Sequence, residues 1–206
     1  MHQYKGKLIL HTGSMFSGKT SSLWKDLNRF RIAKYDVLAF KPAIDVRSDL
    51  DRIVSHDNDE LFCIAVSTLE EVVDIAKKQP VDVIGIDEVQ FMQDDPADVA
   101  TRVNELLNRD LTVVIAGLDL DFKARPFEIV KELLPMADYL TKHHAVCASC
   151  GVDAWVSHRK TRDDERVVIG AQAEYEPLCR KCYLRKEAGK KAAKNQISFS
   201  EMDKEA

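Results

Sequence analysis

The chain has 206 residues, 45% hydrophobic and 31% charged, with 30 lysines and arginines against 34 aspartates and glutamates for a formal net charge of -4. That length supports one substantial core, or one core with a small appendage held by a metal or a partner. The acidic balance argues against a protein whose main task is coating nucleic acid. The polar start and the lack of a long apolar run argue against export and membrane spanning, so a cytoplasmic location is expected.

From the amino end, apolar runs at Lys7 to His11, Val37 to Phe40, Leu61 to Val66, Val81 to Ile86 and Thr112 to Ala116 predict short buried strands. Helical patterns alternate with them, which predicts an α/β fold on a parallel sheet. Leu23, Leu27 and Phe30 form one apolar stripe on the first helix. Thr68 followed by Glu71 reads as a capping box ahead of Val72, Ile75 and Ala76, with Pro80 closing that helix. Asp95 and Pro96 start another helix, whose inner face is Val99, Val103, Leu106 and Leu107. Cys63, alone in its apolar run, reads as a small buried hydrophobe in a strand.

The segment Gly13-Ser14-Met15-Phe16-Ser17-Gly18-Lys19-Thr20 satisfies G-x-x-x-x-G-K-[ST] between a strand-like run and an amphipathic helix. Its glycines let backbone N–H groups turn inward toward phosphate oxygens, and the helix start adds partial positive charge. Lys19 is placed to reach the β and γ phosphates, and Thr20 to hold Mg²⁺. A second anchor for the metal is expected at Asp87, where an apolar strand ends in acids at the sheet's carboxyl edge. Glu88, one residue on, is the candidate general base, and Asp87, Glu88, Val89 and Gln90 are also expected to take part in nucleotide binding. The same acid pair would also suit an ATPase that activates water, so these residues leave the acceptor open.

Near Ala145 helical periodicity stops and two cysteine pairs appear. Cys147-x-x-Cys150 and Cys179-x-x-Cys182 can each give two thiolates to one tetrahedral Zn²⁺. Redox pairing is the alternative, although no thioredoxin-like βαβ pattern surrounds either pair. Four thiolates would close the metal site, making it structural. Between the pairs, Ala154 to Ser157 and Val167 to Ile169 read as two strands of a hairpin, and Arg166 to Tyr175 as a loop suited to folding over a small ligand. Arg180, Lys181, Arg185, Lys186, Lys190, Lys191 and Lys194 crowd the last quarter and read as a solvated tail in preference to a nucleic-acid contact. The expected organisation is a nucleotide-binding α/β domain over 1–144, a zinc-binding domain over 145–184, and a charged tail over 185–206, frayed or disordered from about Arg185.

As a set, these residues resemble the type II, or cellular-type, thymidine kinases over roughly Gly6 to Tyr183. The resemblance is carried by the phosphate loop, Asp45-Val-Arg47, Asp87-Glu-Val-Gln-Phe91, Gly117-Leu-Asp-Leu-Asp-Phe122 with Pro126-Phe127, the cysteine pairs and Tyr175. It implies transfer of the γ-phosphoryl of ATP to the 5′-hydroxyl of thymidine or deoxyuridine, in a RecA-like P-loop domain with a zinc-held lasso over the nucleoside. Glu88 matches the family's base. Met15, Phe91, Leu118, Phe122 and Phe127 match residues around the base and sugar, and Val167, Val168, Ile169, Gly170 and Tyr175 match the lasso. Ser157 is a candidate to hydrogen-bond the base, and Asp45 and Arg47 match a loop near the phosphates. The resemblance also implies a homotetramer with feedback inhibition by thymidine triphosphate, and no nucleic-acid or membrane partner. Two departures stand out: Ser14 lies where the family usually has proline, and Glu128 where it commonly has glycine.

Overall fold

The computed structural model describes residues 3–44, 52–54, 60–161 and 174–190. Five expected apolar runs become parallel strands of one sheet: β1 (Leu8–Gly13), β2 (Val37–Pro42), β5 (Ile64–Val66), β6 (Val83–Ile86) and β7 (Thr112–Gly117). A sixth, β8 (Tyr139–His143), pairs in parallel with the outer side of β1, giving the order β5-β2-β6-β7-β1-β8. The interior strands β1, β6 and β7 are buried along their whole length, as expected for a sheet covered on both faces.

Helix α1 (Lys19–Ile32) covers one face. Its stripe of Leu23, Leu27 and Phe30 is buried against Ile9, Ala39, Val83, Val114 and Ala116. Each such side chain contributes about 1.5–3 kcal/mol when fully buried. The other face carries α2 (Leu69–Lys78), α3 (Pro96–Asn108) and the short α4 (Glu128–Leu133). Local chemistry starts α2 and α3 as the sequence indicates: the Thr68 side chain accepts from the Glu71 amide, and Asp95 accepts from the Ala97 amide with Pro96 opening the helix. The Glu71 carboxylate accepts from the Ser67 amide, one residue before the cap, so the reciprocal half of the box is displaced. Helix α2 ends at Lys78, just ahead of Pro80. Leu107 is only partly buried, whereas Val99, Val103 and Leu106 are fully buried.

Two strands differ from the apolar pattern. The run Leu61 to Val66 breaks at Cys63: β4 (Glu60–Phe62) pairs antiparallel with β3 (Arg52–Val54), and only β5 joins the main sheet. Cys63 is buried as expected but lies in the break, against the α1 side of the core. Strand β8 carries no apolar run because it is an edge strand, with Tyr139 and Leu140 about half exposed.

Beyond β8 the chain forms a second, smaller hydrophobic cluster of Ala145, Cys147, Ala154, Val156, Leu178, Cys182 and Tyr183. Its framework is the antiparallel pair β9 (Val156–Arg159) and β10 (Tyr175–Leu178). The described partner of the Ala154 to Ser157 run is therefore β10; the expected strand Val167 to Ile169 lies outside the described residues. The residues 180–190 are helical; the rest of the expected frayed or disordered tail lies outside the described residues. Lys186 binds Glu176 at 2.6 Å, and Lys190 donates to the Arg159 carbonyl at 2.7 Å. Among the described residues no helix is long and apolar enough to cross a membrane.

Packing between α1 and β6 is close enough to test. A Cβ added at Gly85 would lie 2.3 Å from Leu27 Cδ1. Overpacking of this kind costs about 1–3 kcal/mol. Gly85→Ala should therefore lower the midpoint of chemical denaturation while leaving the slope unchanged, and an unaltered midpoint would show that α1 yields freely.

Candidate active site

The phosphate loop follows directly from β1. Gly13 has φ of 136°, and a Cβ there would lie 2.2 Å from the His143 carbonyl oxygen on β8, so this close approach of strands requires glycine. Phe16 and Gly18 also take left-handed conformations, at φ of 64° and 83°. Such alternations of backbone conformation can turn successive N–H groups to one side, as a phosphate cradle requires. Ser17 Oγ and Lys19 Nζ both donate to the Ser14 carbonyl, at 2.8 and 2.9 Å, which closes the loop on itself. Ser14 is buried at the proline position of the related family, and Phe16 is exposed.

Thr20, in the first turn of α1, donates its hydroxyl to Asp87 Oδ1 at 3.3 Å. The two residues expected to anchor magnesium, Thr20 on α1 and Asp87 directly after β6, are thus in contact. Burial, reinforced by the neighbouring Glu88 carboxylate, pushes the Asp87 carboxyl up to about 7. Such a carboxylate fits a cation: oxygen donors of Thr20 and Asp87 suit Mg²⁺, whose charge would offset the cost of ionising Asp87 there.

Glu88 stands in the left-handed region at φ of 49°, uncommon for a residue with a Cβ. Its amide donates to Asp87 Oδ1 at 2.9 Å, and the Gln90 side-chain amide donates to its carboxylate. Gln90 also accepts from the Leu118 amide at 2.9 Å. One buried glutamine therefore braces both the acid after β6 and the chain leaving β7. Val89 is fully buried in the core, so it supports this turn from below.

Past β7, a compact loop shapes the neighbouring wall. Asp121 Oδ1 accepts from the amides of Lys123 and Arg125, both at 2.9 Å, and the Phe127 amide donates to the Asp119 carbonyl. This organises Leu118, Phe122 and Phe127 on one short segment. Phe127 meets Phe91 edge-on, with ring centroids 6.2 Å apart. Met15 is partly buried against the same core. Glu128, the other departure, opens α4 and pairs with Lys131 at 3.0 Å.

The cysteine lobe reaches this site at two points. Ser157 Oγ accepts from the Met15 amide at 2.8 Å, tying β9 to the phosphate loop. Tyr175, on β10, is buried beside Arg159, whose guanidinium lies over the Phe122 ring. The expected residues Asp45, Arg47, Val167, Val168, Ile169 and Gly170 lie outside the described residues.

Cys147, Cys150, Cys179 and Cys182 bring their sulfurs within 4.8 Å of one another. Cys150 and Cys179 sulfurs are 3.6 Å apart, close to the roughly 3.8 Å separating thiolates on a tetrahedral zinc with bonds of about 2.3 Å. Burial raises the Cys147 thiol, but backbone hydrogen bonds from Cys179 and its own turn outweigh it and bring it to about 6. The Val152 amide favours the Cys150 thiolate, yet the three adjacent sulfurs push it up to about 12. Four sulfurs at this spacing cannot all ionise without a cation between them, and that donor set fits Zn²⁺.

Several contributors were not evident in the sequence. His11 on β1 contacts His143 on β8 through Nδ1 and Nε2 at 3.0 Å, and Asp26 on α1 through Nε2 at 3.1 Å. Burial, with His11 and Lys19 adjacent, holds His143 below the usual imidazole range. Arg159 was also unmarked. Its one trace in the sequence is the polar run Ser157-His158-Arg159 completing an apolar strand, and all of β9 proves buried.

A parallel sheet with a phosphate loop at its carboxyl edge, an acid pair on the neighbouring strand and an appended four-cysteine lobe define a P-loop nucleotide-binding protein. The chain spans residues 6–183 of its own length in a match to the family model described as thymidine kinase. It is 42% identical over 181 residues to a thymidine kinase of Bacteroides thetaiotaomicron, covering 88% of each chain. It is also 42% identical over 179 residues to one of Porphyromonas gingivalis, covering 87% of this chain and 85% of that one. This chain belongs to the thymidine kinase family. In fold alone it is similar to the crystal structure of the flagellar accessory protein FlaH from Methanocaldococcus jannaschii, with a TM-score of 0.51 at 14% identity, covering 72% of this chain and 75% of that one.

The thiolate cluster should hold one zinc per chain. Cys147→Ser is expected to abolish zinc retention in metal analysis and to shift the fluorescence of Trp155, which packs edge-on against Tyr183 at 5.9 Å in this lobe. Full zinc occupancy in the variant would remove Cys147 from the ligand set.

Proposed function

We propose that the chain transfers the γ-phosphoryl group of ATP to the 5′-hydroxyl of thymidine, or of deoxyuridine, with Glu88 as general base. What carries this reading is the convergence of the phosphate loop, the Thr20–Asp87 contact and Glu88 at one sheet edge in a chain of this family. Lys19 and the loop Gly13 to Thr20 bind and orient the phosphates, acting through position and charge. Thr20 and Asp87 hold Mg²⁺. When bound, the metal neutralises charge on the β and γ phosphates.

The Glu88 carboxylate accepts the proton of the attacking hydroxyl, and the Gln90 bond keeps it aimed. Phe91, Phe122, Phe127, Leu118, Met15 and Tyr175 form the wall that receives the base and sugar. The four cysteines hold a structural Zn²⁺ and take no part in the chemistry. Family resemblance also supports a homotetramer inhibited by thymidine triphosphate, acting in the cytoplasm. The acidic net charge disfavours a role on nucleic acid, and three of the basic residues are already engaged within the lobe: Arg180 stacks over Trp155 at 3.7 Å, and Lys186 and Lys190 bind Glu176 and the Arg159 carbonyl.

ATP-dependent phosphorylation should be measured on thymidine, deoxyuridine, deoxycytidine and deoxyguanosine, with single-stranded DNA as a separate stimulant. Product confined to thymidine and deoxyuridine is expected. ATP hydrolysis that rises with DNA and ignores nucleosides would assign the wrong acceptor. In the same assay Glu88→Gln should lower turnover roughly 10²-fold or more while ATP binding is retained. Undiminished turnover would remove Glu88 as the base.

A further inference from the structure

Arg159 is 0% exposed, on a strand whose four residues are all buried. Burying a guanidinium costs several kcal/mol unless its charge and its donors are matched, and an apolar side chain of similar size often serves stability as well or better. Its presence therefore calls for a role that a leucine or methionine would not fill.

Its surroundings indicate that role. The guanidinium carbon lies 3.8 Å from the centroid of the Phe122 ring and 5.2 Å from that of Tyr175. Nε and Nη2 donate to the Tyr175 hydroxyl at 3.2 and 2.6 Å. Arg159 and Tyr175 are direct cross-strand partners on β9 and β10, and the next rung is the bond from the Lys160 amide to the Glu174 carbonyl. Phe122 belongs to the tight loop after β7 on the main domain. One planar cation thus engages a ring from the sheet domain and a ring from the cysteine lobe.

Residues two apart on a strand share a face. Ser157 and Arg159 are such a pair, and both act on the site: Ser157 through the Met15 amide of the phosphate loop, Arg159 through Phe122. This face of β9 registers the cysteine lobe against the phosphate end and the nucleoside end of the site together. Lysine could not replace the arginine here, because stacking and the forked donor pair both need the flat guanidinium.

We propose that Arg159 is a positioning residue for the nucleoside, setting the orientation of Phe122 and Tyr175 against the base and sugar. This rests on the assignment of those two rings to the nucleoside wall. It is separate from phosphate binding, so its loss should fall on one substrate.

The test uses full-length, zinc-loaded protein, with thymidine and ATP varied independently. Arg159→Lys should raise KM for thymidine roughly 30-fold, the scale of a desolvated cation–π contact, with KM for ATP changed less than about threefold and zinc content unchanged. Tyr175→Phe, which keeps the ring and removes only the hydroxyl, should raise thymidine KM in the same direction. In the double variant the second change should add little, since both remove one shared interaction. An unchanged thymidine KM in Arg159→Lys, an equal rise for both substrates, or fully multiplicative effects in the double variant would each overturn the inference. If Arg159→Lys does not accumulate as folded protein, Tyr175→Phe decides alone, and a wild-type thymidine KM in that variant overturns it. Wild-type protein that leaves thymidine unphosphorylated overturns the underlying assignment, a result distinct from normal wild-type turnover with insensitive variants.

Discussion

Burying the Asp87 carboxyl beside Glu88 at the end of β6 is the constraint to which the rest of the site answers. A completely buried strand delivers two acids into the same small volume, and desolvation together with their mutual repulsion raises the first to about 7. The neighbouring parts reduce that cost. Thr20 and the Glu88 amide donate to Asp87, and Lys19 lies near enough to favour its ionised form. Glu88 then follows in a left-handed conformation at the end of the same strand. A residue with a Cβ held there costs of order 1–3 kcal/mol, and in the function proposed above that strain serves to separate metal holding from proton acceptance.

Gln90 carries the consequence across the sheet. By binding Glu88 and the Leu118 amide, it fixes the distance between the acids after β6 and the loop after β7. The Asp121 turn then holds Phe122 and Phe127 in place with bonds to its own amides. On the far side, the cysteine lobe is a weakly cored unit whose hydrophobic cluster is small and includes two of the four thiols. A metal held among the thiols would supply the cohesion such a cluster lacks. Once held, the lobe presents β9 to both ends of the site, through Ser157 to the phosphate loop and through Arg159 to Phe122. The loop after β1 and the loop after β7 therefore share a support that neither domain provides alone.

Much of this was legible beforehand because it depends on local geometry. The phosphate loop needs particular residues at fixed spacing, and Gly13, Gly18, Lys19 and Thr20 stand where a strand turns into a helix. Thr68 and Asp95 start helices by accepting from amides only a few residues away, with Pro96 preset for the first turn, so those boundaries are readable. The acids at Asp87 and Glu88 follow a run that could only be a buried strand, and the cysteine spacing defines a donor set before any fold is known. The spacing of Leu23, Leu27 and Phe30 likewise names the face of α1 that the sheet covers.

The residues alone specify the chemistry on offer and the elements that carry it; which elements meet is settled only once the fold is assembled. The strand Tyr139–His143 has no apolar run because an edge strand buries little, yet its place beside β1 is why Gly13 must be glycine. Cys63 divides an apolar run because its two halves find different partners, β3 and β2. The His11–His143 contact joins residues 132 positions apart, and Met15 reaches Ser157 across 142. Arg159 looks like an ordinary surface charge until β10 and the Phe122 loop close around it. No local pattern encodes such contacts, because their stability comes from surfaces that exist only after the sheet has assembled and brought distant segments together.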